Sequence, residues 1–421
     1  MGLSSTLYSG VSGLQANSTA MSVTGNNISN SNTVGFKSSS TVFSDVLSAS
    51  VATASGTGQV GRGSNVSTVR TDFSQGSFQS TSSATDLAIE GESFFMVSAA
   101  DSAEVLYTRN GAFSFDSDGY LVNAEGYRVQ GQTYTADGEP SNGDPEDIQV
   151  DLDTQIAAHA TENVSMSTNL DADEEVTGPF DSTDPDTTSN YSTSTTIYDA
   201  LGATHTVTTY FTKTADQEWS WNTVVDGEEL DGGTAGVLNV VGSGTLEFDN
   251  SGALVSGASG SSTAGILDWV NGADDSQQLT FEFDTTQFSS DSVVFSQEQD
   301  GYTSGDVVDV SIDNDGVVSA TYSNGETIDV AVLTLASFAN PGGLLKEGGS
   351  LYSANGSSGE PRIGTAGSAM GTIYTNALEL STVDLSQEFV DMITIQNGYS
   401  AASRVITTVD EMLQEVINLK R

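Results

Sequence analysis

Apolar residues near the C-terminus recur with the spacing of a coiled coil. One row repeats every seven residues from Leu385 to Leu413, and a second row follows three residues behind it. Steps that alternate between three and four place all these side chains in one stripe, the a/d seam of a coiled-coil helix. The pattern predicts one long helix over residues 385–421 that requires a partner. Its seam residues are Leu385, Met392, Ile395, Tyr399, Ala402, Ile406, Val409, Leu413 and Val416.

The start of this helix is marked, and its seam has two weak points. Asp384 is placed to cap the first turn, with Gln387 three residues further on. Glu388 occupies a position where a seam residue is due, and Gly398 costs about 1 kcal/mol relative to alanine. We therefore expect a helix that is marginal alone and stabilised by its neighbours. An ordinary C-terminal helix docked on its own domain is the alternative.

A second heptad row lies at the opposite end of the chain. It predicts a helix over residues 1–30 with an apolar stripe made of Leu7, Leu14, Met21 and Ile28. Up to Ser44 the only charged residue is Lys37, and a helix with so little charge is poorly suited to bulk solvent. The two helices enclose the rest of the chain, so we expect the termini to meet in space.

Between the helices, short alternating runs and abundant turn residues predict β-structure. The fold class is therefore α+β multidomain: a terminal α-helical coiled-coil pair that encloses two predominantly β-domains. The predicted divisions are an N-terminal inner-core helix (1–30), an irregular connector (31–70), the N-terminal part of a first β-domain (71–149), an acidic outer β-domain (150–298), the C-terminal part of the first β-domain (299–371), a second connector (372–384) and a C-terminal inner-core helix (385–421).

Composition narrows the possible functions. The chain of 421 residues has a formal net charge of -46, and Lys213 is its only basic residue between Arg128 and Lys346. Such a charge argues against binding to nucleic acid or anionic lipid, since both require clustered Lys and Arg. The chain has no cysteine, so disulfides and thiolate metal sites are excluded. The N-terminus does not resemble a secretory signal, and no stretch is apolar enough to span a bilayer.

Two motifs suggest a bound ligand, and neither has the required context. Gly56–Gly61 matches the dinucleotide-binding fingerprint, but the residues that follow alternate as extended chain, so no helix N-terminus is available for a pyrophosphate. Acidic residues after Ser114 have the spacing of a calcium loop, but an EF-hand requires flanking helices and these flanks alternate as strands. A β-turn is the favoured interpretation. We predict neither a cofactor nor a metal site.

The residues needed for catalysis are scarce. His159 and His205 are the only histidines, and no nucleophile elbow or zinc-spaced histidine pair is present. His205 lies in a strand-like run and is expected at the surface or at a sheet edge. Carboxylate pairs are so common in this chain that they do not indicate glycoside hydrolysis. The sequence therefore predicts no catalytic residues and no enzyme.

Both termini carry long motifs typical of one family. Residues 24–37, TGNNISNSNTVGFK, resemble the N-terminal signature of the bacterial flagellar rod and hook proteins. Residues 376–386, 388–393 and 404–414 are similar to the C-terminal signature of the same family, although Asn397 and Ala402 depart from it. Residues 86–95, 107–113 and 118–122 resemble its first β-domain, and 338–344 and 364–367 also match. The resemblance covers nearly the whole chain and is weakest in the middle.

The resemblance implies a function in motility. Rod proteins of this family are generally shorter, so the insertion in the middle favours a hook protein, the curved, flexible universal joint that transmits torque from motor to filament. The implied partners are other copies of the chain, the hook cap, distal rod and hook–filament junction proteins, and the flagellar export apparatus. Export without a cleaved signal peptide would place the chain in the extracellular hook. A distal rod protein and a secreted acidic β-rich adhesin are the alternatives.

Overall fold

The structure is a computed structural model and describes residues 3–53, 56–100, 102, 104–134, 140–141, 143–152, 155–262, 267–274, 277–367 and 369–419. Long helices lie at both ends of this part of the chain, and a single short helix lies between them. The helices are α1 (Leu3–Ser29), α2 (Pro185–Thr188) and α3 (Leu385–Leu419). Two 3₁₀ turns cover Gly227–Glu229 and Pro341–Gly343.

Most of the remaining ordered structure is β. The strands are β1 (Ser39–Asp45), β2 (Ala49–Thr53), β3 (Gly56–Val60), β4 (Ser64–Thr71), β5 (Phe78–Ser80), β6 (Leu87–Glu90), β7 (Phe94–Ser98), β8 (Val105–Thr108), β9 (Phe113–Phe115), β10 (Leu121–Asn123), β11 (Arg128–Thr133), β12 (Glu146–Asp147), β13 (Asn163–Asp171), β14 (Tyr191–Tyr198), β15 (Thr204–Ala215), β16 (Glu218–Asp226), β17 (Leu238–Phe248), β18 (Leu254–Ser256), β19 (Ser259–Ser261), β20 (Thr280–Phe288), β21 (Val293–Gln299), β22 (Val307–Ile312), β23 (Val317–Tyr322), β24 (Thr327–Ser337), β25 (Leu345–Gly348), β26 (Leu351–Ser353), β27 (Arg362–Thr365), β28 (Thr372–Thr375) and β29 (Ala377–Glu379).

The chain forms two compact units. The first contains the described residues within 1–152, 310–320 and 328–421, and the second contains those within 153–309 and 321–327. The predicted outer domain ended at 298, whereas the second unit continues to Asp309. Backbone bridges explain the difference, because His159 pairs with Tyr302 and Ile156 pairs with Gly305, which holds the chain after β21 in this unit.

The first unit contains a large sheet with an aromatic core. Its main strand order is β22-β23-β24-β11-β7-β8-β26-β25. All five residues of β7 are buried, and its first four, FFMV, form a continuous apolar run. The Phe94 ring packs edge-on against Phe338, with ring centroids 5.8 Å apart, and lies 5.9 Å from the Tyr352 ring. This core stabilises the β-structure that follows α1 and precedes α3 in the chain.

The second unit contains two sheets that share one core. The five strands β14-β15-β16-β17-β18 form an antiparallel meander, and the other sheet has the order β19-β20-β13-β21 with β13 and β20 parallel. Alternate residues of both sheets point inward, so Trp219 and Trp221 of β16 join Phe281 and Phe283 of β20 in a single buried cluster. Period-two alternation in the sequence produces this arrangement.

The predicted terminal helices are confirmed, and the two connectors are not irregular. Within the first connector, β1 pairs with β4 and β2 pairs with β3. In the second, β28 pairs with β6 and β29 pairs with β5. The prediction of an irregular first connector was wrong for a physical reason. Ser, Thr and Gly dominate this segment and β1 has no fully buried residue, so the alternation of apolar and polar residues is weak.

Candidate assembly interface

The two terminal helices pack against each other in antiparallel orientation. Gly10 of α1 lies against Ile406 of α3, and Gly13 lies against Ala402. Towards the other end of the pair, the Asn27 amide donates a 2.8 Å hydrogen bond to Glu388 Oε1. The ends of the chain therefore do meet, as the sequence predicted.

The face of α1 that meets α3 is a row of small or polar residues. Its members alternate in steps of three and four, and they are half-buried or buried: Gly10, Gly13, Asn17, Ala20, Thr24 and Asn27. A Cβ atom at Gly10 would lie 3.0 Å from Ile406 Cγ1, so glycine permits the two backbones to approach closely. The heptad pattern did not reveal this row because such patterns consist of large apolar side chains, although Gly10 and Gly13, spaced three apart, are a signal for close helix packing.

The partner face of α3 is the predicted seam in its middle section. Val409 is 3% exposed, and the other members of this section, Met392, Ile395, Ala402 and Ile406, are half-buried. Glu388, which interrupts the seam, is held by Asn27. Burial raises the pKa of the Glu388 carboxyl above its ordinary value, against the lowering effect of the Asn27 hydrogen bond. The start of the helix is capped as predicted, since Asp384 Oδ1 accepts hydrogen bonds from the backbone N–H groups of Ser386 and Gln387.

Several predicted interface residues remain accessible to solvent in the single chain. The α1 residues Leu7, Leu14, Met21 and Ile28 lie beside the small row and are half-buried, as Gly13 and Asn17 are. On α3, Leu385, Tyr399, Leu413 and Val416 are exposed. The structure thus brings together the middle of the α3 seam and a different row of α1, and leaves the α1 heptad row at the edge of the contact.

The C-terminal end of α3 extends beyond α1. Because Gly10 lies against Ile406 in an antiparallel pair, α1 reaches its first described residue, Leu3, about two turns later, near position 412. Met412 and Leu413 lie at this level and Val416 and Ile417 beyond it, and the four side chains are between 38% and 67% exposed. Phe389, Val390, Ile393 and Val405 are exposed nearer the start of the helix. Large apolar side chains in such number on one helix are typical of an interaction surface.

A buried cluster of charges lies where the chain joins the helices to the β-structure. Lys37 Nζ lies 2.6 Å from Glu379 Oε1, and Arg109 Nη1 lies 3.5 Å from Glu379 Oε2. All three side chains are at most 1% exposed. Lys37 follows α1 in the chain, Glu379 precedes α3, and Arg109 follows β8. The cluster therefore fixes the outgoing and returning segments to each other and to the sheet.

The same cluster is supplied with further hydrogen bonds. Lys37 Nζ donates to the Ser74 carbonyl at 2.6 Å, Gly76 N donates to Glu379 Oε1 at 2.7 Å, and Arg109 Nη2 donates to the Gly91 carbonyl at 2.6 Å. Burial lowers the pKa values of Lys37 and Arg109, and attraction to Glu379 opposes this shift. The sequence signal for this cluster was Lys37 itself, the single charge in the first 44 residues.

The β1–β4 pair lies along α1. Asn27 Nδ2 donates to the Ser39 carbonyl at 2.7 Å, and Ser39 N donates to Asn27 Oδ1 at 3.0 Å. At the other end of the pair, Gly63 has a positive φ of 101°, and a Cβ atom there would lie 2.1 Å from Ser12 Oγ. Asn27 therefore binds both α3 and β1, which makes it the point where three elements meet.

Neither a metal-binding cluster nor a membrane-spanning helix is found in the described part of the chain. Among the residues described, no group of three or more His, Cys, Asp or Glu side chains could hold a metal ion. No helix in the described segments is long and apolar enough to cross a membrane.

Comparison with family models defines the class of protein. Residues 7–37 match the flagella basal body rod protein model, and residues 374–419 match the flagellar basal body rod FlgEFG protein C-terminal model. Residues 88–169 match the flagellar hook protein FlgE/F/G D1 domain, and residues 166–302 match the flagellar basal body protein FlaE D2 domain. The helix pair and the two units are thus those of a flagellar axial protein.

Full-length relatives identify the particular family. The chain is 36% identical to the flagellar hook protein FlgE of Borreliella burgdorferi, over 98% of this chain and 99% of that protein. It is 35% identical to that of Salmonella typhimurium, over 97% and 98% respectively. The chain belongs to the flagellar hook protein FlgE family. It is a structural subunit of the flagellar hook, as the resemblance of its terminal motifs predicted, and functions in motility.

A solved structure has a similar fold. The crystal structure of Helicobacter pylori flagellar hook protein FlgE2 matches 72% of this chain and 100% of that chain, with a TM-score of 0.51 and 16% identity. At this identity the likeness concerns the fold alone.

Proposed function

We propose that this chain polymerises through its terminal helices into a curved, flexible hook that transmits motor torque to the filament. The observation that carries the proposal is the apolar surface left on the helix pair. Met412, Leu413, Val416 and Ile417, at the C-terminal end of α3, are exposed in a single chain. Burying four such side chains against a neighbour stabilises a contact by several kcal/mol, at about 1.5–3 kcal/mol each.

The proposed interface includes the whole predicted seam set. A coiled-coil pair of α1 and α3 in one subunit would present its free rows to the helices of the next subunits. The proposed free-row residues are Leu7, Leu14, Met21, Ile28, Leu385, Tyr399, Leu413 and Val416. The other members of the seam, which we propose support the interface from within the pair, are Met392, Ile395, Ala402, Ile406 and Val409. Head-to-tail contacts that do not close into a ring produce an open helical filament.

We propose three concentric layers for the assembled hook. The helices over 1–30 and 385–421 form the inner tube, the first β-domain the middle layer, and the acidic unit the outer one. Tight apolar contacts in the inner layer resist twisting. Outer contacts are sparse and hydrated, because the acidic unit contains Lys213 as its single Lys or Arg and like charges repel. Such outer contacts slide as each row of subunits shortens and lengthens.

The remaining partners belong to the same proposal. The chain is exported through the flagellar export apparatus and assembles outside the cell. It contacts the hook cap during assembly, the distal rod at its base and the hook–filament junction proteins at its tip. The proposed function involves no catalysis and no cofactor, and the proposed partners include neither nucleic acid nor a membrane.

Polymerisation of purified full-length protein tests the proposal. Val416→Asp and Ile417→Asp each place a charge in the proposed contact, so we expect the critical concentration to rise at least about tenfold for each. Negative-stain microscopy should show curved tubes for the unchanged protein and none for the double variant at the same concentration.

A matched control separates assembly from folding. Val237→Asp changes an exposed valine of the acidic unit, 52% exposed, and should leave the critical concentration unchanged. Circular dichroism of the monomers checks that each variant retains its β-structure. Normal tubes from the Val416→Asp, Ile417→Asp double variant would refute the proposed interface.

A further inference from the structure

The histidine expected at the surface lies buried in the second unit. His205, at the start of β15, is 7% exposed, so the expectation of a surface or edge position is wrong. The indole of Trp269 covers the imidazole, with ring centroids 3.6 Å apart and planes inclined by 14°. The sequence did not predict this contact, because Trp269 is supplied by a loop more than sixty residues away.

Both nitrogens of this imidazole face carboxylates. Nε2 lies 3.1 Å from Asp199 Oδ2, and Nδ1 lies 2.8 Å from Glu229 Oε2. Asp199 is in the turn before β15, and Glu229 is the last residue of the 3₁₀ turn Gly227–Glu229. An ionised carboxylate only accepts hydrogen bonds, so each contact requires a proton on the ring nitrogen that faces it.

The state of Asp199 follows from its own hydrogen bonds. Its side chain is fully buried, and Oδ1 accepts from the backbone N–H groups of Leu201 and Ala203 at 2.9 and 2.8 Å. Oδ2 accepts from the Asn271 amide in addition to facing His205. Burial raises the pKa of Asp199, but these hydrogen bonds outweigh it and hold that pKa below its ordinary value. Asp199 is therefore an ionised acceptor, and its oxygens are fully used.

We propose that His205 is a proton-operated clasp: its imidazolium form, held between Asp199 and Glu229 under Trp269, ties three loops of the acidic unit together, and loss of one proton releases one carboxylate. A neutral imidazole has one N–H and can donate to only one of the two. The cation also benefits from the indole face, which attracts positive charge. Glu229, whose side chain is 34% exposed, is the carboxylate that is released, because Asp199 is retained by other donors.

The groups that contact the His205 imidazole determine which loops its protonation state can affect. The structure places Asp199, Glu229 and the Trp269 indole against it, and Asn271 reaches the same site through Asp199. Backbone contacts also join two of the three loops. Asp231 N donates to the Asp268 carbonyl at 2.7 Å, Val270 N donates to the Glu229 carbonyl at 3.0 Å, and Leu230 forms a bridge with Trp269. The clasp adds side-chain hydrogen bonds to these contacts, and its opening should loosen residues 199–203, 227–231 and 268–271 while the sheets remain intact.

Histidine-selective nitrogen NMR on the full-length monomer tests the charge state directly. The chain contains only His159 and His205, so each spectrum shows two rings. His159 stacks on Tyr302 and provides an internal reference. Because both nitrogens face carboxylates, we expect both nitrogens of His205 to be protonated near neutral pH. A neutral His205 near neutral pH would overturn the proposal.

Hydrogen exchange tests the mechanical consequence. After correction for intrinsic rates, amides in the three loops should exchange about tenfold faster above the pH at which His205 loses its proton, since one charged hydrogen bond is lost. His205→Gln should exchange fast at every pH, and Glu229→Gln should remove most of the pH dependence. Amides in the middle of β16 serve as a control that stays constant. A wild-type protein whose loops show no change across that pH range would also refute the clasp.

Discussion

Gly398 of α3 lies against the Asn17 side chain of α1, so close that a Cβ atom at position 398 would lie 2.8 Å from Asn17 Oδ1. In an isolated helix this glycine is unfavourable, and in the pair it creates the space for a polar side chain. The same principle applies at Gly10, against Ile406. The helix pair is close because its contact row is small.

A larger residue at this position should separate the helices. Gly398→Leu forces a side chain into the Asn17 contact, and we expect it to destabilise the pair by about 1–3 kcal/mol. Thermal unfolding followed by circular dichroism measures this loss. Ser400→Leu, at an exposed position two residues further on, is the matched control and should have little effect. Equal stability of the two variants would show that Gly398 is not needed for close packing.

The buried charge cluster predicts an order of severity. Glu379→Gln leaves Lys37 and Arg109 buried without a counter-charge, so we expect a loss of about 3–5 kcal/mol in the free energy of unfolding. Lys37→Met leaves the neutral pair of Arg109 and Glu379, and its cost should be smaller. Denaturant titration of the monomers compares the two. If Lys37→Met lowered the free energy of unfolding more than Glu379→Gln, Glu379 would not be the counter-charge that both cations require.

Glu388 predicts a pH dependence of the helix pair. Burial raises its pKa in the folded state, so the folded state holds the proton more tightly than the unfolded state does. The stabilisation is complete below the ordinary carboxyl pKa, and it is lost as pH rises through the raised value. Glu388→Gln removes this loss. The variant should therefore gain stability relative to the unchanged protein as pH rises from the ordinary carboxyl pKa, about 4.3, through the raised value.

Comparison of Glu388→Gln with the unchanged protein cancels the contribution of the many other carboxylates to the pH dependence of stability. Unfolding free energies at several pH values provide the measurement. A difference between them that stays constant, or that favours the unchanged protein as pH rises, would show that burial does not dominate at Glu388.

The half-exposed row of α1 predicts an assembly defect without a folding defect. Leu14 and Met21 lie beside the packed row, so Leu14→Asp and Met21→Asp should leave the monomer folded and each raise the critical concentration for polymerisation about tenfold. Sedimentation of polymer measures it. Ser18→Asp adds the same charge at an exposed position of the same helix and should polymerise more readily than either. Loss of the monomer's helix signal in Leu14→Asp would instead assign Leu14 to the internal pair.

The sequence alone determined the ends of this molecule. Heptad spacing predicted helices with nearly the same bounds as α1 and α3, because periodicity is a local property of the sequence that does not depend on tertiary contacts. The terminal motifs indicated the flagellar family for the same reason. Alternation and turn residues also predicted a β-rich middle, with a boundary in error by about ten residues where bridges from distant segments decide it.

Tertiary structure decided which residues meet. The small row of α1 is the contact face because two helix backbones approach closely only where the side chains between them are short. A local sequence pattern does not predict which element packs against such a row. Lys37, Arg109 and Glu379 are separated by up to 342 positions, and His205 and Trp269 by 64, so only folding brings them together. Burial then changes the chemistry of these groups, and burial depends on the packing of the whole chain.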